Sequence, residues 1–453
     1  MTAQTKLAFW GGLDTIGGNI ISIQYEDYRI ITDFGALAGV NIMDLLSKET
    51  TSSLLEENKL PKIEGLYNKE ALKDFPLEAY EVSDIKTIVC LSHLHLDHLG
   101  AFGQLPTDLP VYALEDTVDF YLQLDKTNLL PHYQVNWQKV AAEETIEFGP
   151  FKIQFHNSDH DTIGAASIFV EAPDLKIIYS GDFRLTGFQP ENVLDWARKA
   201  KQFEVDLFLV EGTTFSHSAS EPNPVDVALA EITHSINAPN EMKLMHSIET
   251  IAQANPQRLL AFNGYPQNIE RLLVLAELMT TLGRTLVMDQ TYFELMKPYL
   301  TGYLSVKYLY LHHNSEDYSE DAVSLEMLQN SPQYYMVQFD YERHEHIFTL
   351  PAGIYFHSNG MPLGSYMPEY EPYVRRFVEA GWDFYHANVS GHASQADLLL
   401  VNYLVQAKLV VPWHTFKPAE YGEAIEAIGL KTWLPAYGEE YSSEDIIAFR
   451  QAD

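Results

Sequence analysis

The stretch Ser92-His93-Leu94-His95-Leu96-Asp97-His98-Leu99-Gly100 decides how the rest of the chain is read. The residues before it, 85–91, are mostly apolar and β-branched, which predicts a buried strand. Side chains alternate along an extended segment, so His93 and His95 reach the same side. A turn then lets Asp97 and His98 present a carboxylate and an imidazole from the next loop or helix start. Three imidazoles and a carboxylate at this spacing suit zinc, or another borderline first-row divalent metal. A solvated His-rich loop is the alternative, but crowding four titratable side chains costs desolvation unless a cation compensates.

Outward from that stretch, composition sets the frame. The 453 residues can bury a large core and allow two or three domains. Hydrophobic content of 46% and charged content of 20% describe an ordinary globular protein. The only cysteine, Cys90, lies in the apolar run before the motif and is expected as a small core residue. No stretch approaches the ~20 apolar residues of a membrane span. Met1 to Trp10 lacks the apolar core of a signal peptide, so a soluble cytoplasmic protein is expected. With 29 Lys plus Arg against 63 Asp plus Glu, the net charge is −34. That excludes a broad basic surface for duplex nucleic acid. The densest basic pairs, Arg198-Lys199 and Arg375-Arg376, read as solvated helix faces. Acidity repels polyanions at long range without forbidding a small cationic site built from metals.

Turn signals and β-branched runs alternate from Leu7 to Phe34. Asn19 to Tyr25 and Tyr28 to Thr32 predict a hairpin around Glu26-Asp27, ending at Asp33. Asn41 to Glu81 reads as an irregular helical insertion broken at Pro61 and Pro76. Helical periodicity covers Val118 to Leu130, and Thr145 to His156 predicts a hairpin around Gly149-Pro150. Ser158-Asp159-His160-Asp161 precedes the strand Ala165 to Val170. Lys176 to Tyr179 ends in Ser180-Gly181-Asp182-Phe183, and Val205 to Val210 ends in Glu211. Polar groups thus recur at the carboxyl ends of successive strands, where α/β sheets place their sites. Further on, strand Arg258 to Phe262, helix Asn268 to Thr281 and strand Thr285 to Met288 predict a βαβ unit with a parallel pair. Tyr385 to Val389, helix Gln395 to Ala407 and strand Leu409 to Val411 then lead to His414.

Taken together, these motifs resemble a known family. Gly12 and Gly17 with Asp33, His93-x-His95-x-Asp97-His98, His160 and Gly181-Asp182-Phe183 are similar to the ordered motifs of the metallo-β-lactamase fold. Glu211, Ser390-Gly391-His392-Ala393-Ser394 and Pro412-Trp413-His414 resemble the three further motifs of the β-CASP branch, and within it ribonuclease J-like proteins. The resemblance implies an α/β protein: a metallo-β-lactamase αββα sandwich with an inserted α/β β-CASP domain. The expected division is 1–211 and 385–453 for the sandwich and 212–384 for the insertion. Two departures stand out. The chain stops at Asp453, without the family's C-terminal domain, and Tyr335 to Asp340 stands where the family has a glycine-rich loop.

The resemblance and ligand chemistry together assign the site. One metal takes His93, His95 and His160, the other Asp97, His98 and His414, and Asp182 bridges them. The implied cofactors are two divalent ions per chain, Zn²⁺ first and Mn²⁺ second. A hydroxide shared by the metals would attack phosphorus in line. Asp97, Glu211 and His392 are the expected catalytic residues, with His392 as proton donor and Glu211 orienting it. Ser390, Ala393 and Ser394, just before a helix, are expected to hold a substrate phosphate. His344-x-His346 has strand-like ligand spacing but matches no motif; neither do the remaining histidines, His312 and His313 among them. The favoured function is a two-metal phosphodiesterase acting on RNA, with single-stranded DNA as a variant, no membrane partner, and homo-oligomers allowed. The alternatives are a metallo-hydrolase of small phosphate or ester substrates and, more weakly, a non-catalytic partner subunit.

Overall fold

The computed structural model describes residues 3–217, 223–310 and 319–451; His312 and His313 lie outside them. Two mixed sheets pack face to face. One runs in the order 440–442, 6–9, 21–25, 28–32, 86–90, 110–114 and 136–140. The other runs 409–413, 207–211, 176–179, 166–171, 151–157 and 146–148. The alternation of a strand divides their side chains between two cores. Ile30, Ile88 and Cys90 face inward and meet Ile153, Ile168, Ile177 and Leu209 of the opposite sheet. Ile31, Val89 and Leu91 face outward and pack under Val118, Phe120 and the short helices between 42 and 72. On the far side, helices Pro190–Phe203, Gln395–Val405 and Pro418–Ala427 cover Phe169, Ile178, Phe208 and Val410. Each fully buried Ile, Leu or Val here is worth about 1.5–3 kcal/mol of transfer free energy. The result is the four-layer αββα sandwich expected from the sequence.

The predicted elements recur within a few residues. The hairpin Ile21–Tyr25 with Tyr28–Thr32 is antiparallel, with Tyr25 opposite Tyr28. Strands Lys176–Tyr179 and Thr285–Met288 have the predicted bounds. The segment 42–82 is a series of short helices and 3-10 turns.

A third sheet, eight-stranded and parallel throughout, comes from residues lying between two adjacent strands of the sandwich, Leu207–Glu211 and Leu409–Trp413. Its order is 234–235, 383–386, 354–358, 260–264, 335–338, 285–288, 306–310 and 322–324. Two expectations are corrected here. Strands Leu260–Gly264 and Thr285–Met288 are parallel but not neighbours, because Tyr335–Gln338 pairs with both. Apolar periodicity marks a strand without naming its partners. The run Tyr385 to Val389 does not simply return the chain to the sandwich, since Asp383–His386 is itself a strand of the inserted sheet. His344 and His346 lie on the 3-10 helix His344–Thr349, so their spacing is not that of a strand.

Candidate metal centre

Six strands of the sandwich deliver polar residues to one end. His93 follows Lys86–Cys90, Asp33 follows Tyr28–Thr32, and His160 follows Phe151–Asn157. Asp182 follows Lys176–Tyr179, Glu211 ends Leu207–Glu211, and His414 follows Leu409–Trp413. The short helix Leu96–Leu99 adds Asp97 and His98.

These residues form three overlapping clusters: His93 with His95 and His160; Asp97 with His98, Asp182 and His414; and His160 with Asp182 and His392. In each, one ligand atom per residue lies within 4.8 Å of the others. Asp182 Oδ2 stands 3.3 Å from His98 Nε2, 3.4 Å from His414 Nε2 and 3.8 Å from His93 Nε2. Nε2 of His93 and His414 and both oxygens of Asp182 are buried without hydrogen-bond partners. Such orphaned atoms are costly unless a cation satisfies them. His160 Nε2 and His95 Nδ1 are 3.0 Å apart. Two donors at 2.0–2.1 Å on one cation at ordinary angles lie about 2.9–3.4 Å apart, so the spacing fits.

Four of the five candidate ligand histidines have their other nitrogen engaged, which fixes the ring and its tautomer. Ser92 Oγ donates to Asp33 at 2.8 Å and so accepts from His93 Nδ1 at 3.0 Å. His98 Nδ1 donates to Asp33 Oδ2 at 2.7 Å, His160 Nδ1 to the Gly391 carbonyl at 2.5 Å, and His414 Nδ1 to Asn19 Oδ1 at 3.0 Å. His95 is the exception: its Nε2 faces Asp161 Oδ1 at 3.4 Å, and both atoms are buried without a hydrogen-bond partner. Asn19 and Asp161 are therefore site residues that the sequence reading passed over. Asn19 reads from the sequence as the first residue of a hairpin strand, whereas Asp161, directly after His160, carries a readable signal.

Burial keeps His93, His160 and His414 in the neutral, ligating form, whereas at His98 burial is outweighed by Asp182, Asp97 and Asp33, which hold the ring well above its ordinary value. Burial, then the neighbouring His98, His95 and His160, pushes His93 well below its ordinary value. Burial above all lowers His160 to about 3 and also lowers His414. Burial alone would raise Asp182, but His414 and His98 hold it well below the carboxylate range.

Outside this shell, His392 Nδ1 lies 3.3 Å from Glu211 and 3.8 Å from Asp182. Glu211 is fully buried, held by the backbone N–H of Phe183 at 3.2 Å and of Thr213 at 3.1 Å. Burial opposes protonation of His392, but Glu211 outweighs it, with Asp182 and Asp161 adding, and the imidazole rises to about 10.

The expected phosphate turn is only partly available. Ser390 Oγ accepts from His392 N at 3.0 Å, and Ser394 Oγ caps the helix by accepting from Asp397 N at 3.2 Å. Ala393 is a correction: its side chain is buried and its N–H donates to the Phe183 carbonyl at 2.7 Å, which leaves no donor for a phosphate. The turn is braced from below by a buried ion cluster. Arg184 Nη1 meets Glu241 at 2.9 Å and the Ser390 carbonyl at 3.4 Å. Glu241 also takes Arg271 Nε at 2.9 Å and Nη2 at 2.7 Å, which ties the inserted region to the metal end of the sandwich.

The comparisons with known proteins agree with this geometry. Residues 65–262 match the family model of the β-lactamase superfamily domain. The chain therefore carries a metallo-β-lactamase fold. The chain is similar to ribonuclease J of Mycoplasma genitalium, 29% identical over 46% of this chain and 33% of that one. It is similar to ribonuclease J of Thermus thermophilus over 89% of this chain and 67% of that one, at 22% identity. The chain thus spans a third of the length of the first of these relatives. Among solved structures, a protein of unknown function from Enterococcus faecalis V583 is similar over 97% of this chain and 100% of its own, with TM-score 0.80 and 26% identity. No helix among the described residues is long and apolar enough to cross a membrane.

Proposed function

We propose that the protein is a two-metal phosphodiesterase that hydrolyses RNA. The observation carrying this reading is the pair of ligand clusters joined at Asp182, with a Glu211–His392 pair just outside them. The ribonuclease J relatives favour RNA as the strand. His93, His95 and His160 would hold one divalent ion, Asp97, His98 and His414 the other, with Asp182 between; the donor set suits Zn²⁺. When bound, such ions supply Lewis acidity that lowers the pKa of water and neutralises charge on a phosphodiester.

The chain's own residues supply the rest. Asp97, the most exposed ligand at 29%, is placed to accept the proton of the attacking water. As the new bond to phosphorus forms and the ester P–O bond breaks, the leaving alkoxide needs a proton. His392 holds it, because Glu211 keeps the ring charged and takes Nδ1–H, leaving Nε2–H to give. In this reading 212–384 is an inserted domain whose sheet faces the metal end, and Ser390 and Ser394 frame the approach of a substrate phosphate.

The test is the metal-loaded protein on labelled RNA bearing a 5′ monophosphate or triphosphate, alongside bis-p-nitrophenyl phosphate. His392→Ala should keep both metals, lose about 10²–10⁴-fold on RNA, and largely spare the nitrophenyl ester, whose leaving group needs no proton. Equal losses on the two substrates, or loss of a metal, would refute the assignment. Activity on small phosphates alone would favour the small-molecule reading.

A further inference from the structure

We propose that Tyr265, supplied by the inserted sheet, is a further catalytic residue whose phenol donates a hydrogen bond to a non-bridging oxygen of the phosphodiester under attack. The inference rests on the phosphodiesterase reading above. Tyr265 is the first residue beyond the strand Leu260–Gly264, at the carboxyl edge of the parallel sheet, where such sheets place binding groups. Its ring centroid lies 5.8 Å from that of His95, with the planes at 53°. Among the described residues no other tyrosine makes a ring contact with a ligand imidazole.

Several features favour a donor at this point. The phenol oxygen has no hydrogen-bond partner among the described residues. An ordinary phenol is neutral near pH 7, so it keeps an O–H to give. Tyr265 also lines a cavity of about 590 Å³ whose wall includes Leu129 of the sandwich, Asn263 of the inserted sheet, Tyr292 of the helix Gln290–Met296 and Tyr341 beyond the strand Tyr335–Gln338. A strand lying in that cavity would bring its phosphate past the phenol. The chain carries −34 net charge, and Arg184, the nearest arginine in sequence to Asp182, is taken up by Asp159 and Glu241. Arg343, on the cavity wall, is likewise paired with Asp289 and Asp340, and a phenol adds a donor without another carboxylate's repulsion.

The test is Tyr265→Phe in the full-length, metal-loaded protein, which keeps the ring and removes one oxygen. Metal content and KM should stay within about twofold, while kcat falls about 10–10²-fold, toward the lower end of what losing one such donor costs. Charge builds on the non-bridging oxygens whatever group leaves, so the same loss should appear on RNA and on bis-p-nitrophenyl phosphate. That separates Tyr265 from His392, whose loss spares the nitrophenyl ester. Unchanged kcat on both substrates would overturn the proposal. So would a loss confined to RNA, or a rise in KM alone, since each would place the side chain on the strand rather than on the reacting phosphate. Wild-type protein with two metals and no activity on either substrate would instead overturn the phosphodiesterase reading, and this proposal with it.

Discussion

Asp33→Asn should weaken the candidate ligand clusters, that of His98 above all, from outside their ligand shell. Asp33 is fully buried with φ +56°, a left-handed conformation that asparagine also tolerates, so the backbone need not change. Its Oδ1 accepts from Ser92 N at 2.7 Å; its Oδ2 accepts from Ser92 Oγ at 2.8 Å, His98 Nδ1 at 2.7 Å and the Tyr179 hydroxyl at 2.5 Å. An amide must turn its NH₂ toward one of these donors, and the cheaper orientation sacrifices Ser92 N. Losing that charge-assisted bond costs about 1.5–3 kcal/mol. The other three fall from charge-assisted to neutral strength at about 0.5–1 kcal/mol each, giving about 3–6 kcal/mol in all. His98 also loses the anion that orients it, which typically costs 10–100-fold in metal affinity. The Asp97–His98–His414 cluster should lose most, and the cluster of His93 less, because His93 is held through Ser92 Oγ. Chelator competition on both proteins, with denaturant unfolding of the metal-free forms, measures the two effects. Two unchanged affinities, or a metal-free stability within about 1 kcal/mol of wild type, would refute the argument.

Asp182→Ala removes the carboxylate shared by the clusters, and elemental analysis after metal loading should show fewer than two ions per chain. Retention of both would mean that another residue bridges. Glu241→Gln leaves the buried Arg184 and Arg271 undercompensated and should cost about 3–5 kcal/mol in denaturant unfolding, with less than about 1 kcal/mol counting against the cluster's role. His357 is fully buried, neither ring nitrogen has a hydrogen-bond partner, and burial lowers it to about 3. The unfolded chain therefore binds the proton first, near its ordinary value, and this residue's contribution to stability is lost as pH falls below that value. Between pH 8 and pH 5 the loss is about 2 kcal/mol, which His357→Leu should abolish in paired unfolding curves. The −34 charge predicts a weak salt dependence of KM for RNA, because long-range repulsion and local attraction are screened together. A steep rise of KM with salt would instead reveal a basic groove.

What could be read from the sequence was local. His93, His95, Asp97 and His98 fall within six residues and announce themselves by composition. Asp182, Glu211 and His414 stand at the carboxyl ends of runs whose apolar, β-branched character makes them buried strands. Strand bounds such as Lys176–Tyr179 emerged because burial on both faces leaves no room for polar residues. Partnership could not be read in this way. Tyr335–Gln338 separates two strands that periodicity makes natural neighbours, since strand order is set by helix packing over the whole sheet.

The same limit governs the site. Asn19 meets His98 from 79 positions away and His414 from 395, so no spacing rule could join them. Ala393 shows the converse error, a backbone donor assigned from motif position although Phe183 had already claimed it. Ligands face a cation, and the donor chemistry of each is intrinsic to the residue. The groups that orient them are ordinary Asn, Asp and Ser side chains, or a bare carbonyl as at Gly391, defined only by where the fold puts them. Candidate ligands can therefore be named before the structure, whereas the tautomer each would adopt, on which affinity depends, cannot.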